Sequence, residues 1–128
     1  KNGVSDAMAE FVCPLCATIH LSGSTITLTS CSIAVMMMLG QDVTFGAMFP
    51  FILMLGVTMV AAPGVPGGAV MAALGILESM LGFDADMQGL MIALYIAQDS
   101  FGTACNVTGD GAIAVLMDAI TGKKKANA

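Results

Sequence analysis

Charge is missing from long reaches of this chain. No Asp, Glu, Lys or Arg occurs from Phe11 to Gln41, or from Val43 to Leu77. Each reach exceeds the roughly 20 apolar residues that cross a bilayer as a helix. The first apolar segment, 8–40, is too long for one straight span without large tilt. It is interrupted by Thr18-Ile-His20-Leu-Ser22-Gly23-Ser24-Thr25, a polar cluster with a glycine inside it. The pattern predicts a broken helix: one half over 8–20, a short unwound stretch, and a second half over 24–39. Unwound backbone at membrane depth is viable only where protein or an aqueous cavity satisfies it. The alternative is one continuous helix whose Ser and Thr hydroxyls bond back to their own carbonyls.

Gly40 to Thr44 reads as a loop. Residues 45–81 then form two apolar arms around Ala62-Pro63-Gly64-Val65-Pro66-Gly67-Gly68. Proline and glycine at this density terminate a helix. This turn, 62–68, contains no Lys, Asp, Glu, Asn or Ser, residues that a turn lying in water normally carries. It is expected to be the buried tip of a re-entrant helical hairpin. Two full spans joined by an external turn is the competing reading, but the arms are short for that. A last helix is predicted over 87–121. The basic run Lys123 to Lys125 follows, placing a tail, 122–128, in the cytoplasm. Both chain ends then fall on the cytoplasmic side.

The last helix carries the unusual feature. At 100° per residue, Asp99 and Asp110 are separated by about 1100°, roughly 20° from three whole turns. Thr103 and Asn106 lie on the same stripe. A polar, partly anionic seam on an apolar helix is tolerated where it faces a bundle interior, an ion or a substrate.

Composition agrees with a membrane setting. Of 128 residues, 57% are hydrophobic and 10% charged, against about 25% charged in a soluble domain. The net charge of −5 says little about partners, because most acids sit near segment ends. No basic surface suits nucleic acid. Cys13-Pro-Leu-Cys16 has the C-x-x-C spacing but lies in an apolar helix, where cysteine acts as a small hydrophobe. The twelve methionines read as packing and lipid-facing residues. The chain opens on Lys1 and reads as an internal or C-terminal piece of a larger membrane protein. Asp99 and Asp110 as acid–base groups of a membrane enzyme is a weaker reading, since no nucleophile or histidine pair is placed to join them.

Three motifs at this spacing carry a family resemblance: Pro14-Leu-Cys-Ala-Thr18-Ile19, Pro63-Gly-Val-Pro-Gly67 and Asn106-Val-Thr-Gly-Asp110. Across essentially its whole length the chain resembles the C-terminal part of the transport domain of the dicarboxylate/amino acid:cation symporter (glutamate transporter) family. The resemblance implies an all-α membrane protein: a broken transmembrane helix, a re-entrant hairpin and the final transmembrane helix. It implies sodium-coupled symport of an amino acid by alternating access, with sodium as coupling ion and no other cofactor. Missing N-terminal scaffold helices, a homotrimer in the intact protein and a multi-pass place in the cell (inner) membrane are implied as well.

By the same resemblance, Asn106 and Asp110 would hold one sodium ion with the backbone around Thr18 to His20. A second sodium would lie between Thr18, Leu21 and carbonyls near Met59, Val60 and Ala62. Asp99 would bind the substrate ammonium group, and Thr103 and Asn106 would also touch the substrate. Ala62, Pro63, Gly64, Val65 and Gly67 would contact the substrate and form the outer gate. Two departures stand out. Gly102 takes the place of an arginine that pairs with acidic substrates, and the chain has no arginine at all. A second substrate carboxylate would lack its strong partner, so a neutral amino acid is expected. A dicarboxylate symporter and a structural, non-transporting membrane piece are the alternatives. At the break, His20-Leu-Ser22-Gly23-Ser24 replaces Asn-Met-Asp-Gly-Thr. The lost carboxylate implies fewer sodium ions, or a proton that His20, the sole histidine, could carry near neutral pH. The plainer role for His20 is to satisfy backbone groups freed by the break.

Overall fold

The computed structural model describes residues 3–125, with side-chain surroundings up to residue 122. Five helices follow one another: α1 (Asp6–Ile19), α2 (Ser22–Met38), α3 (Phe45–Met59), α4 (Gly68–Leu81) and α5 (Ala85–Lys125). No strand occurs among the described residues.

The first apolar segment is two helices with two residues between them. The backbone ladder stops at His20 N to Cys16 O, 2.8 Å, and resumes at Thr25 N to Leu21 O, 2.9 Å. His20 is extended (φ −103°, ψ 94°). The second half starts at Ser22, earlier than the polar cluster suggested, because its first-turn donors find a partner on another helix. Gly23 N and Ser24 N both point at Asn106 Oδ1 of α5.

Helices α3 and α4 pack against each other and are joined by residues 60–67. Thr44 caps α3 through Ala47 N. At the far end, Gly67 takes φ 75°, a left-handed conformation that only glycine adopts without cost. It turns the chain directly into α4. Within this chain Pro63 to Pro66 are exposed, and burial begins at Gly67. The turn is closed by its own backbone, with Val65 N on Pro63 O at 2.9 Å and Gly68 N on Val65 O at 2.8 Å.

Helix α5 runs 41 residues, about 60 Å at 1.5 Å per residue. It starts at Ala85 rather than 87 because Asp84 accepts from Met87 N, 2.9 Å, as an N-cap. It also continues past 121, so the lysine run is helical, and the rest of the expected tail, 126–128, lies outside the described residues. Two separate cores use its length. Leu28, Val35, Phe51, Leu55, Val70, Leu77, Met91 and Tyr95 form the larger one, between α2, α3, α4 and the first half of α5. Val12, Cys16 and Ala114 form a smaller one, between α1 and the second half. The seam from Asp99 to Asp110 falls between the two, beside the break.

The outer surface is strongly apolar: Phe45, Phe101, Val57 and Ile26 are each more than 60% exposed. One helical run, Asp6–Met38, taken with its break, is long and apolar enough to cross a membrane; α3 and α4 are shorter apolar helices.

Candidate functional site

The break, the tip and the seam line one partly open cavity of about 340 Å³. That is near the lower end of the roughly 300–1,000 Å³ found for small-molecule sites. Asp99, Thr103, Asn106 and Asp110 reach it from α5, His20, Leu21 and Ser24 from the break, and Pro63, Gly64 and Val65 from the tip. None of the lining residues is Lys or Arg.

Asp99, Asn106 and Asp110 each have a defined partner. Asp99 Oδ2 accepts from Gly67 N at 3.1 Å, tying the tip to α5. Asn106 is 7% exposed. Its Oδ1 accepts from Gly23 N at 2.8 Å, and its Nδ2 donates to Ser24 Oγ at 3.0 Å. An amide is suited to this place because it offers an acceptor and a donor on adjacent atoms. Asp110 Oδ1 lies 2.7 Å from His20 Nδ1. Close packing sets these distances. A Cβ at Gly23 would fall 2.3 Å from Gly102 O and 2.6 Å from Cys105 Cβ, and one at Gly109 2.5 Å from His20 Cε1.

Several expected residues do not line this cavity. Thr18 does not line the cavity; it is exposed, and its hydroxyl donates to Leu15 O at 2.8 Å. The Met59 side chain is in the core and that of Val60 is exposed, while the expectation there concerned their carbonyls. Ala62 packs against the core. Gly67 acts through its N–H rather than as a lining residue. Gly102 is buried, faces Thr27 Oγ1 and the Gly23 backbone, and does not reach the cavity. Asn106 Oδ1 accepts from Gly23 N and Asp110 Oδ1 lies against His20 Nδ1, so each of the two residues expected to hold sodium has one side-chain oxygen in contact with the break.

Tyr95 and Ser24 line the cavity without having been singled out. Tyr95 is 1% exposed and one turn before Asp99. Extending the seam by four residues would have found it. Ser24 was visible only as part of the polar cluster.

Fold and site define an all-helical protein with an apolar exterior, whose polar cavity is built where one helix breaks and another pair of helices turns. By its match to the sodium:dicarboxylate symporter family over residues 1–120, the chain belongs to that family. It is 28% identical over 122 residues to the serine/threonine transporter SstT of Acinetobacter baylyi, covering 92% of this chain and 30% of the relative. It is 27% identical over 110 residues to neutral amino acid transporter A of Bos taurus, covering 86% of this chain and 21% of the relative. With excitatory amino acid transporter 5 of Mus musculus it shares 28% over 117 residues, 91% of this chain and 21% of the relative. The chain therefore spans about a fifth to a third of the length of these curated relatives. No solved structure matches.

Proposed function

We propose that this chain is the ligand-binding part of a cation-coupled secondary active symporter for a small, neutral amino acid. The observation that carries the reading is the cavity itself: a carboxylate, an amide and a hydroxyl converge on it from one helix stripe, with a proline/glycine tip over Asp99. Asp99 Oδ1 would receive the substrate ammonium group while Oδ2 stays on Gly67 N. Asn106 has a second Nδ2 hydrogen for the substrate carboxylate, and Thr103 presents its hydroxyl alongside. With two aspartates and no Lys or Arg around the cavity, a second substrate carboxylate would be repelled rather than paired. Relatives named for serine/threonine and for neutral amino acids support that choice.

Sodium is the coupling ion in this reading. The carbonyls of residues 17–20, left without helical N–H partners by the break, and those at the start of the tip near Val60 and Ala61 are the oxygens a hard cation would use. The tip opens and closes over the substrate as the outer gate. The transport cycle is alternating access in the lipid bilayer of the cell (inner) membrane. Scaffold helices from elsewhere in the protein, a trimer and a cytoplasmic C-terminal end complete the picture.

The test is amino-acid binding to the full-length protein, with sodium or choline as the cation. Serine, threonine or alanine should bind in sodium, and glutamate and aspartate should bind at least roughly tenfold more weakly, about 1.4 kcal/mol. Asp99→Ala should abolish binding. Equal binding of acidic and neutral amino acids, or undiminished binding by Asp99→Ala, would refute the reading.

A further inference from the structure

A carboxylate in an apolar bundle needs a counter-charge or strong donors. For Asp110 these can come from solution, as a cation, or from the protein. The chain's ammonium side chains, Lys1 and Lys123 to Lys125, are all near its ends, and it has no arginine. His20 is the remaining basic side chain, and its Nδ1 stands 2.7 Å from Asp110 Oδ1. The ring has a shaped seat. Gly109, one residue before Asp110, would place a Cβ 2.5 Å from His20 Cε1 and 3.4 Å from Nδ1. Any side chain at 109 would therefore push the imidazole away. The neighbouring amide oxygen is also engaged, with Gly23 N 2.8 Å from Asn106 Oδ1.

We propose that His20 determines ion selectivity: its imidazole N–H takes the place on Asp110 that a coupling sodium ion would take. His20 occupies the Oδ1 face of this carboxylate, and in this proposal Asp110 carries no sodium. Binding sodium there would remove a hydrogen bond to an ionised acceptor, among the stronger kind. It would also set a ring nitrogen beside a hard cation that favours oxygen. Coupling then runs through backbone carbonyls at the break and the tip, with one sodium fewer than an Asp110 site would add. This rests on the transport reading above.

The experiment uses the full-length protein and two readouts: the sodium dependence of serine binding, and the shift in thermal unfolding caused by sodium against choline. With His20 in place, Asp110→Asn should leave the slope of serine affinity on sodium unchanged, whatever it does to the affinity itself. His20→Asn removes the ring and offers an amide oxygen, so it should steepen that slope, adding roughly fivefold or more to the sodium effect on affinity. The gain should vanish in His20→Asn combined with Asp110→Asn. Gly109→Ala, which dislodges the ring without changing it, should behave like His20→Asn and serves where that variant folds poorly. A shallower slope in Asp110→Asn alone, or an unchanged slope in both His20→Asn and Gly109→Ala, overturns the proposal. If no form binds an amino acid, the transport reading fails, and the thermal shift decides this proposal alone. A sodium shift gained in His20→Asn and lost in the combined variant supports it, and equal shifts in all forms overturn it.

Discussion

Two interruptions of helix meet at the cavity, and they are held in different ways. The break at His20–Leu21 is stitched to α5 by side chains from both sides: Asn106 on Gly23 and Ser24, and Asp110 on His20. The backbones touch there, Gly23 against Gly102. The tip at 60–67 is closed mainly by its own backbone, is exposed from Pro63 to Pro66, and has one side-chain tie to α5, Gly67 N on Asp99. In the proposed reading the first is a fixed floor and the second a flap, tied to α5 by a single side-chain hydrogen bond. A wall that is to move must be held by few interactions, while a wall that positions a ligand must be over-determined.

Substitutions can break or sharpen this contrast. The largest effect is expected for Gly23→Ala. Its Cβ would meet the Gly102 carbonyl at 2.3 Å, in the interior of α5 where the helix ladder holds the backbone, so a loss of about 3 kcal/mol is expected. Thermal unfolding of the full-length protein would measure it. Gly68→Ala is the matched change at the tip, with its Cβ 2.2 Å from Pro63 O. Because exposed tip residues can shift, its cost should be smaller, about 1 kcal/mol. Equal losses for the two variants would erase the distinction between floor and flap.

Next comes Asn106→Ala. It strands Gly23 N in a buried setting, at a cost of about 2 kcal/mol. Amide exchange at Gly23 and Ser24 should quicken, while exchange within the tip should not change. Spread of the effect to residues 60–67 would show that floor and flap move as one. The smallest effect belongs to Val65→Ser. Val65 is 61% exposed on the tip, and its replacement should change stability by no more than about 0.5 kcal/mol.

Legibility from sequence divides along the same contrast. The break announced itself through Ser, Thr, His and Gly inside an apolar run, and the turn through Pro63, Pro66 and the glycines around them. The seam of Asp99, Thr103, Asn106 and Asp110 followed from helical angles alone. What escaped was which oxygen faces which donor. Thr18 belonged to the right motif, yet its hydroxyl bonds back into its own helix. Gly102 lay close to the seam by angle, yet it points at α2. Periodicity gives the face of a residue on its own helix and not the position of the neighbouring helix, and the difference between 102 and 103 is decided by where α2 lies.

The amino-acid sequence by itself determined an apolar helical chain, its two interruptions and the polar stripe on the last helix. These follow from local terms: burial pattern, proline and glycine geometry, and the helical repeat. Only the tertiary structure decided that the stripe lies between two cores, that Asn106 caps the first turn of α2, and that His20 reaches Asp110 across 90 residues of chain. Such pairings depend on the close approach of backbones at Gly23, Gly102 and Gly109. A glycine in a sequence marks where an approach is allowed, and the packed structure names what approaches.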